Sequence, residues 1–261
     1  MRLKPYALFF IFIGLLSVAL HKPASAQMLV RVLGYPFPPF IDDNKTTGLT
    51  PDILKLLNDA QDKFVFELSV TPPKERYAQI LSAKQDMILF ETPLWGWQDK
   101  QDSVVFSKPL LKGGEVYITK RGSKSLPIEF IDMKHLRIVG FEGYHYKFAG
   151  YQSDKDWLSK NFDITFTHSH QEILKTVKSG ERDVAVVPIS YLKQHFRKFP
   201  EEISAFSVSQ NFAQVYRLRA LLRQNGPINV SEFEQLLRLI TNSQKLQTLL
   251  ENNGILRQWS F

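Results

Sequence analysis

The chain contains no cysteine. That absence excludes disulfide stapling, thiol nucleophiles, thiolate metal sites and a lipidated amino-terminal cysteine. Beyond the first twenty or so residues, no uncharged apolar run approaches the roughly 20 residues of a membrane helix. The phosphate-cradling, dinucleotide-binding, serine-hydrolase-elbow and zinc-protease motifs are all missing. Blocks of like charge are missing too. The formal charge of +7 comes from scattered residues, so nucleic acid is not expected as a partner. No cofactor or metal is expected.

What is present begins with an export signal. Arg2 and Lys4 precede an uncharged run from Ala7 to Leu20, followed by Ala24-Ser25-Ala26. A basic start, a short apolar run and an A-x-A ending describe a secretory leader, here residues 1–26. Its removal takes away Arg2, Lys4 and Lys22 but no acidic residue. An exported, disulfide-free chain that relies on its core is expected in the bacterial periplasm, as a soluble product large enough for one or two domains.

The mature region opens with an apolar run, Leu29 to Leu33, and then Gly34-Tyr-Pro-Phe-Pro-Pro-Phe40. Each proline fixes its own φ and pushes the residue before it into extended geometry. The segment is therefore a stiff loop carrying Tyr35, Phe37 and Phe40. Two readings follow: the rings are buried under a turn, or they form a fixed aromatic wall against a ligand. The second reading also expects Phe37→Ala to leave ligand-free stability nearly unchanged.

The periodicity then gives a helix from Thr50 with Pro51 at its first position, and an alternating strand over Phe64 to Val70. A second helix spans Lys74 to Lys84, and a buried strand covers Asp86 to Phe90. This β-α-β-α-β order marks an α/β layer with a parallel sheet. The order restarts with strands at Glu115 to Lys120, Arg137 to Phe141 and Asp163 to Thr167, and with helices over Ser153 to Lys160, where Ser153 and Asp156 are spaced much like a capping box, and over Ser169 to Ser179. Ser169 and Glu172 form a capping-box pattern, and Gly180 sits where a helix ends. A buried strand over Asp183 to Val187, a helix over Ile189 to Arg197, extended segments at Ile203 to Ser209 and Val215 to Leu222, and a helix capped by Ser231 and Glu234 complete the chain. The expected organisation is two α/β lobes joined by two crossings: residues 27–116 with 210–261, and residues 117–209 between them. Small ligands sit in such clefts near the carboxyl ends of strands.

Gly34 to Phe40, the Gly48 loop, the Asp86 strand, Phe106-Ser107-Lys108-Pro109, Leu136 to Gly143 and Ser179 to Asp183 together resemble the family-3 extracellular solute-binding proteins. The resemblance covers essentially the whole mature chain. It implies the two-lobed periplasmic-binding-protein fold of type II, with two crossing strands as hinge. It also implies a monomeric receptor for a small, polar, amino-acid-like solute, delivered to an ABC permease in the inner membrane. By position in the family pattern, Phe37 corresponds to a ring that stacks on ligand. Phe90, Glu91 and Thr92 correspond to contacts after the third strand, and Tyr144 and His145 to backbone donors at a helix start. Two departures stand out. Lys100 falls where amino-acid receptors carry a carboxylate-clamping arginine, and Pro188 where they carry an ammonium-reading aspartate. A lysine cannot form the bidentate fork of a guanidinium.

Other residues stay open between two roles. Trp95 and Trp97 either reach the cleft or plug the surface of a lobe. Glu91 either reads a positive group or pairs with a nearby lysine. Arg76 faces the cleft mouth or a solvated helix face. Tyr144, His145 and Tyr146 line the cleft or cover the second lobe. His168 and His170 read as a helix entry rather than a zinc site. Glu142 with His145 is the one acid/base pair on which a dehydratase-like cleft enzyme could rest. An accessory or sensor protein with a macromolecular partner is the other alternative to solute transport.

Overall fold

The computed structural model describes residues 26–43, 47–122, 132–255, 259 and 261. All but the last residue of the expected leader lies outside that range. Among the described residues, no helix is long and apolar enough to cross a membrane.

The first set of elements comprises β1 (Met28–Gly34), α1 (Leu49–Asp59), β2 (Phe64–Val70), α2 (Arg76–Leu81) and β3 (Met87–Glu91). The chain then crosses on β4 (Val104–Lys120). The second set comprises β5 (Ile138–Phe141), α3 (Lys155–Asn161), β6 (Ile164–Thr167), α4 (His170–Ser179), β7 (Val184–Pro188) and α5 (Ile189–Lys198). It returns on β8 (Phe206–Arg223) and ends with α6 (Val230–Thr241) and α7 (Gln244–Asn252).

The strand order is β2-β1-β3-β8-β4-β7-β5-β6. Within each outer set the strands are parallel, with β1 between β2 and β3, and β5 between β6 and β7. The two sets are topological copies of each other. Both attach to the central antiparallel ribbon of β4 and β8, which pairs from Val104↔Arg223 to Lys120↔Phe206. The hydrogen-bonded ladder is therefore unbroken. The two expected crossings are the strands β4 and β8, each long enough to serve both ends. This is the mixed α/β, two-lobed architecture of periplasmic binding proteins.

Local signals and structure differ in instructive ways. Helix α1 starts behind Gly48 rather than Thr50. Gly48 has φ +134°, and a Cβ there would lie 2.5 Å from the Phe40 carbonyl oxygen, so only glycine fits. Helix α3 is capped by Asp154 rather than Ser153. Helix α6 is capped by an Asn229–Glu232 box two residues before the expected one. The Ser169 cap forms as expected, with its hydroxyl accepting the Glu172 N–H, and Gly180 closes that helix in the left-handed region.

Asp86 ties three elements at the start of β3. Its carboxylate accepts the backbone N–H of Arg31 at 3.0 Å, Arg31 Nε at 2.8 Å and Arg223 Nη2 at 3.0 Å. Burial opposes its ionisation, but these donors hold the carboxyl below its ordinary range. Such a group stabilises the fold at neutral pH, and the contribution fades as pH falls below about 4 and through the folded pKa. Asp86→Asn is expected to lower unfolding free energy at pH 7 by about 2 kcal/mol, and to flatten the acid limb of a stability-versus-pH curve measured by urea denaturation. An unchanged acid limb would show that Asp86 is not the titrating group.

Candidate functional site

The loops that follow the carboxyl ends of β1, β3 and β5 converge at one place. In each parallel set the chain goes from the central strand to an outer neighbour and then to the inner one, so a crevice opens between the loops at that switch. The stiff Tyr35-to-Phe40 loop enters from β1, Thr92 to Trp97 from β3, and Glu142 to Tyr146 from β5. The ribbon contributes Glu115 and Gln214, which face each other in register.

The polar centre is a buried ion pair. Arg76 Nε lies 2.7 Å from Glu91 Oε1, and both side chains are almost fully buried. The Tyr35 hydroxyl donates to Glu91 at 3.1 Å and the Thr92 N–H at 3.2 Å. Burial pushes the Glu91 carboxyl up, restrained chiefly by the Arg76 charge. Breaking one side of such a pair strands a buried charge, a loss of about 3–5 kcal/mol. Arg76 also stands over the rings of Tyr35 and Tyr77, at 5.0 and 4.4 Å. The solvated-helix reading of Arg76 and the lysine-paired reading of Glu91 are both replaced by this contact.

Tyr77 donates its single hydroxyl proton to the Trp95 carbonyl at 2.8 Å. His145 Nε2 lies 3.1 Å from the Tyr77 hydroxyl oxygen and so presents an N–H to it, leaving Nδ1 to accept from Arg76 at 3.5 Å. Burial, reinforced by the Arg76 charge, lowers the His145 pKa to about 3. The imidazole is neutral at physiological pH. Glu142 does not reach it. Its carboxylate instead faces Lys155 at 3.1 Å, His168 at 3.6 Å and Lys74 at 3.9 Å, so the acid/base pair suggested by spacing does not form.

An aromatic cluster closes the crevice. Phe37 meets Trp95, Tyr144 and Tyr216 edge-on, with centroids 5.5, 6.0 and 6.1 Å away. It also touches Phe40 at 4.9 Å. Phe37 is only 3% exposed. Tyr35, Phe37, Arg76, Trp95, Glu115, Gly143, Tyr144 and His145 enclose a cavity of about 10 Å³. That is room for about one water, so this is a closed form in which the protein's own rings fill the space.

The structure thus gathers Phe37, Trp95, Tyr144 and His145 around one cavity, with Glu91 just behind it. Phe90 packs against Phe40 at 4.2 Å and, like Thr92, stands outside the lining. Lys100 pairs with Asp99 at 2.6 Å and is also outside. Tyr144 N–H is already used by the Phe141 carbonyl, and only a three-residue 3-10 turn, Lys147–Ala149, follows. The helix start expected at Tyr144 and His145 is absent. Among the described residues no group of His, Asp or Glu is arranged to hold a metal.

The contributions of Glu115, Gln214 and Tyr216 went unread in the sequence. One signal was there: Glu115 is the one acidic residue of β4 and is followed directly by Val116-Tyr117-Ile118. It is 2% exposed, and its Oε2 accepts from Gln214 Nε2 at 2.5 Å. Gln214 also donates to the His145 carbonyl at 2.9 Å. Two further contacts join the sets at the rim. The Tyr144 hydroxyl donates to the Pro36 carbonyl at 2.7 Å, and His170, at the start of α4, meets Asp43 through its N–H at 2.6 Å and Nδ1 at 2.8 Å.

Burial raises the Glu115 pKa to about 7, partly offset by the Gln214 hydrogen bond. A carboxyl raised in the folded state binds its proton more tightly there than in the unfolded chain. Its contribution is intact below its ordinary pKa and is lost as pH rises to about 7. Wild-type stability is therefore expected to fall by about 3 kcal/mol between pH 5 and pH 8 from this residue alone. Glu115→Gln should remove that slope in chemical denaturation. If the variant keeps the slope, another group titrates.

No protein-family model matches the chain, and no curated protein does. Solved structures do. A mutant of ArgBP from T. maritima is 18% identical with a TM-score of 0.62, covering 85% of this chain and 93% of that one. The substrate binding protein of an amino acid ABC transporter is 13% identical with a TM-score of 0.62, covering 87% and 99%. An ancestral amino acid-binding protein, a precursor of cyclohexadienyl dehydratase, is 20% identical with a TM-score of 0.62, covering 85% and 94%. At these identities the likeness is one of fold, and that fold is the two-lobed binding-protein fold.

Proposed function

We propose that this chain binds a small polar solute between its two lobes without altering it, and delivers it to an ABC permease of the inner membrane. The observation that carries this reading is the enclosed crevice at the switch point, where rings and polar groups from three loops and the ribbon converge. The lobes are proposed as residues 27–116 with 210–261, and 117–209, which puts the crevice at their junction. The leader-like residues 1–26 support a periplasmic location. The relation to the substrate binding protein of an amino acid ABC transporter supports the transport role. A non-catalytic reading is supported by a neutral His145 and by Glu142 being engaged elsewhere.

Binding requires the closed crevice to open, because about 10 Å³ admits no solute. Phe37 moves with that opening, exchanging contacts with protein rings for contacts with the solute. Phe37 also carries more of the ligand-free fold than a cleft ring would, given its ring contacts and burial. Phe37→Ala is expected to cost about 3 kcal/mol without ligand, against the near-neutrality expected from sequence.

The test is thermal denaturation of the mature chain against a panel of amino acids, amines, organic acids and sugars, with native mass spectrometry of gently purified protein. A solute at about 100 times its Kd should add roughly 2.7 kcal/mol, raising Tm by about 5 to 10 °C. Tyr144→Phe, which removes the rim bond to Pro36 but keeps the ring, should bind the same solute with a changed affinity. A panel without a single shift, combined with a stable protein partner recovered from periplasm, would replace this reading by the accessory one.

A further inference from the structure

The charges around the crevice do not cancel. Arg76 is matched by Glu91 at 2.7 Å, and His145 is neutral. Glu115 is different: among the described residues no lysine, arginine or histidine forms an ion pair with it, and its Oε2 is held by an amide. Ionised Glu115 leaves the enclosure with one uncompensated negative charge. A buried carboxylate in that position is costly until a cation reaches it.

The walls have a matching character. Trp95 and Tyr216 lie 5.2 Å apart at 70° to one another, and Tyr144 closes a third side around Phe37. Aromatic faces attract cations, and the attraction grows when both are removed from water. Phe37 is the one ring of this group carried on the β1–α1 loop, so it occupies the space that the other three surround.

The same enclosure is poorly equipped for a carboxylate. Lys100 is outside it and paired with Asp99. Arg76 is engaged by Glu91, and the Tyr144 N–H is engaged by Phe141. At the end of β7, Pro188 offers no side-chain acceptor for an α-ammonium group.

We infer that the solute is an organic monocation without an α-carboxylate, an alkylammonium or quaternary ammonium compound. Its charged head is held among Trp95, Tyr144 and Tyr216 with Glu115 as counter-charge, and Phe37 keeps that place in the closed form. This inference rests on the solute-binding reading and narrows it to one chemical class.

Calorimetric titration of the mature chain with a series from methylammonium to choline tests it. Each titration is paired with the uncharged isostere of choline, in which a tert-butyl group replaces the trimethylammonium. Choline or another member of the series should bind at least about tenfold more tightly than the isostere. Glu115→Gln should reduce that preference by about tenfold. Circular dichroism of the variant checks its fold, and the wild-type charge comparison stands without it. Equal affinity for cation and isostere, or a preference unaffected by Glu115→Gln, overturns the inference. If the cations fail while L-glutamate or another panel solute binds, solute binding stands and the cation assignment falls. If no panel member binds, both fall together.

Discussion

The pairing of β4 with β8 is the constraint on which the rest of the molecule hangs. One outer set of strands joins the ribbon through β3 on β8, at Arg219 to Leu222. The other joins through β7 on β4, at Glu115 to Thr119. The two sets are thus attached to different strands at different heights. The ribbon register shifts repeatedly between Phe106 and Ile118, and each shift bends and twists the ladder locally. Where Gly113 and Gly114 face Tyr216 and Phe212, a Cβ on either glycine would come within 2.6 Å of a ring carbon. The ribbon passes closely under the aromatic cluster there, so its path and the position of Tyr216 are set together.

Above the ribbon, the Arg76–Glu91 pair organises the polar side of the crevice. A buried ion pair is weak evidence of net stability, since desolvation offsets much of the attraction. Its effect here is positional. Glu91 fixes the Tyr35 hydroxyl, and Arg76 bonds Tyr77, which sets the tautomer of His145. Three side chains, Tyr35, Tyr77 and His145, are oriented by one charge pair. The aromatic side of the crevice is oriented differently, by the three prolines of the β1–α1 loop.

Much of this was legible in the sequence, and the exceptions have physical causes. The alternation of strands and helices is a local signal, and it marked every strand of both outer sets. Phe37, Tyr144 and His145 were singled out by position in the family pattern and Trp95 by its place just past a strand end, and the structure brings all four to one cavity. The length of β4 was hidden: only Glu115 to Lys120 read as a strand, whereas β4 runs on through Gly113-Gly114 in register and past Pro109 with register shifts on either side of it. Arg76 and Glu91 lie fifteen positions apart, and only tertiary packing decides whether such a pair meets. Gln214, Tyr216 and the Asp43–His170 contact belong to the same class, because partners far apart in sequence leave no periodicity. The helix starts at Gly48, Asp154 and Asn229 were misplaced by one or two residues, because several good capping residues stood next to each other.

The rim contacts carry a consequence for kinetics. Tyr144 with Pro36, and His170 with Asp43, are satisfied within the chain itself. Under the proposed function, a solute entering between the lobes would meet competitors already in place and bind only the fraction of molecules that have opened. The apparent Kd exceeds the intrinsic one by the inverse of that fraction. Association then acquires a first-order step, and at high solute concentration its observed rate levels off at the rate at which these two contacts and the Phe37 ring let go.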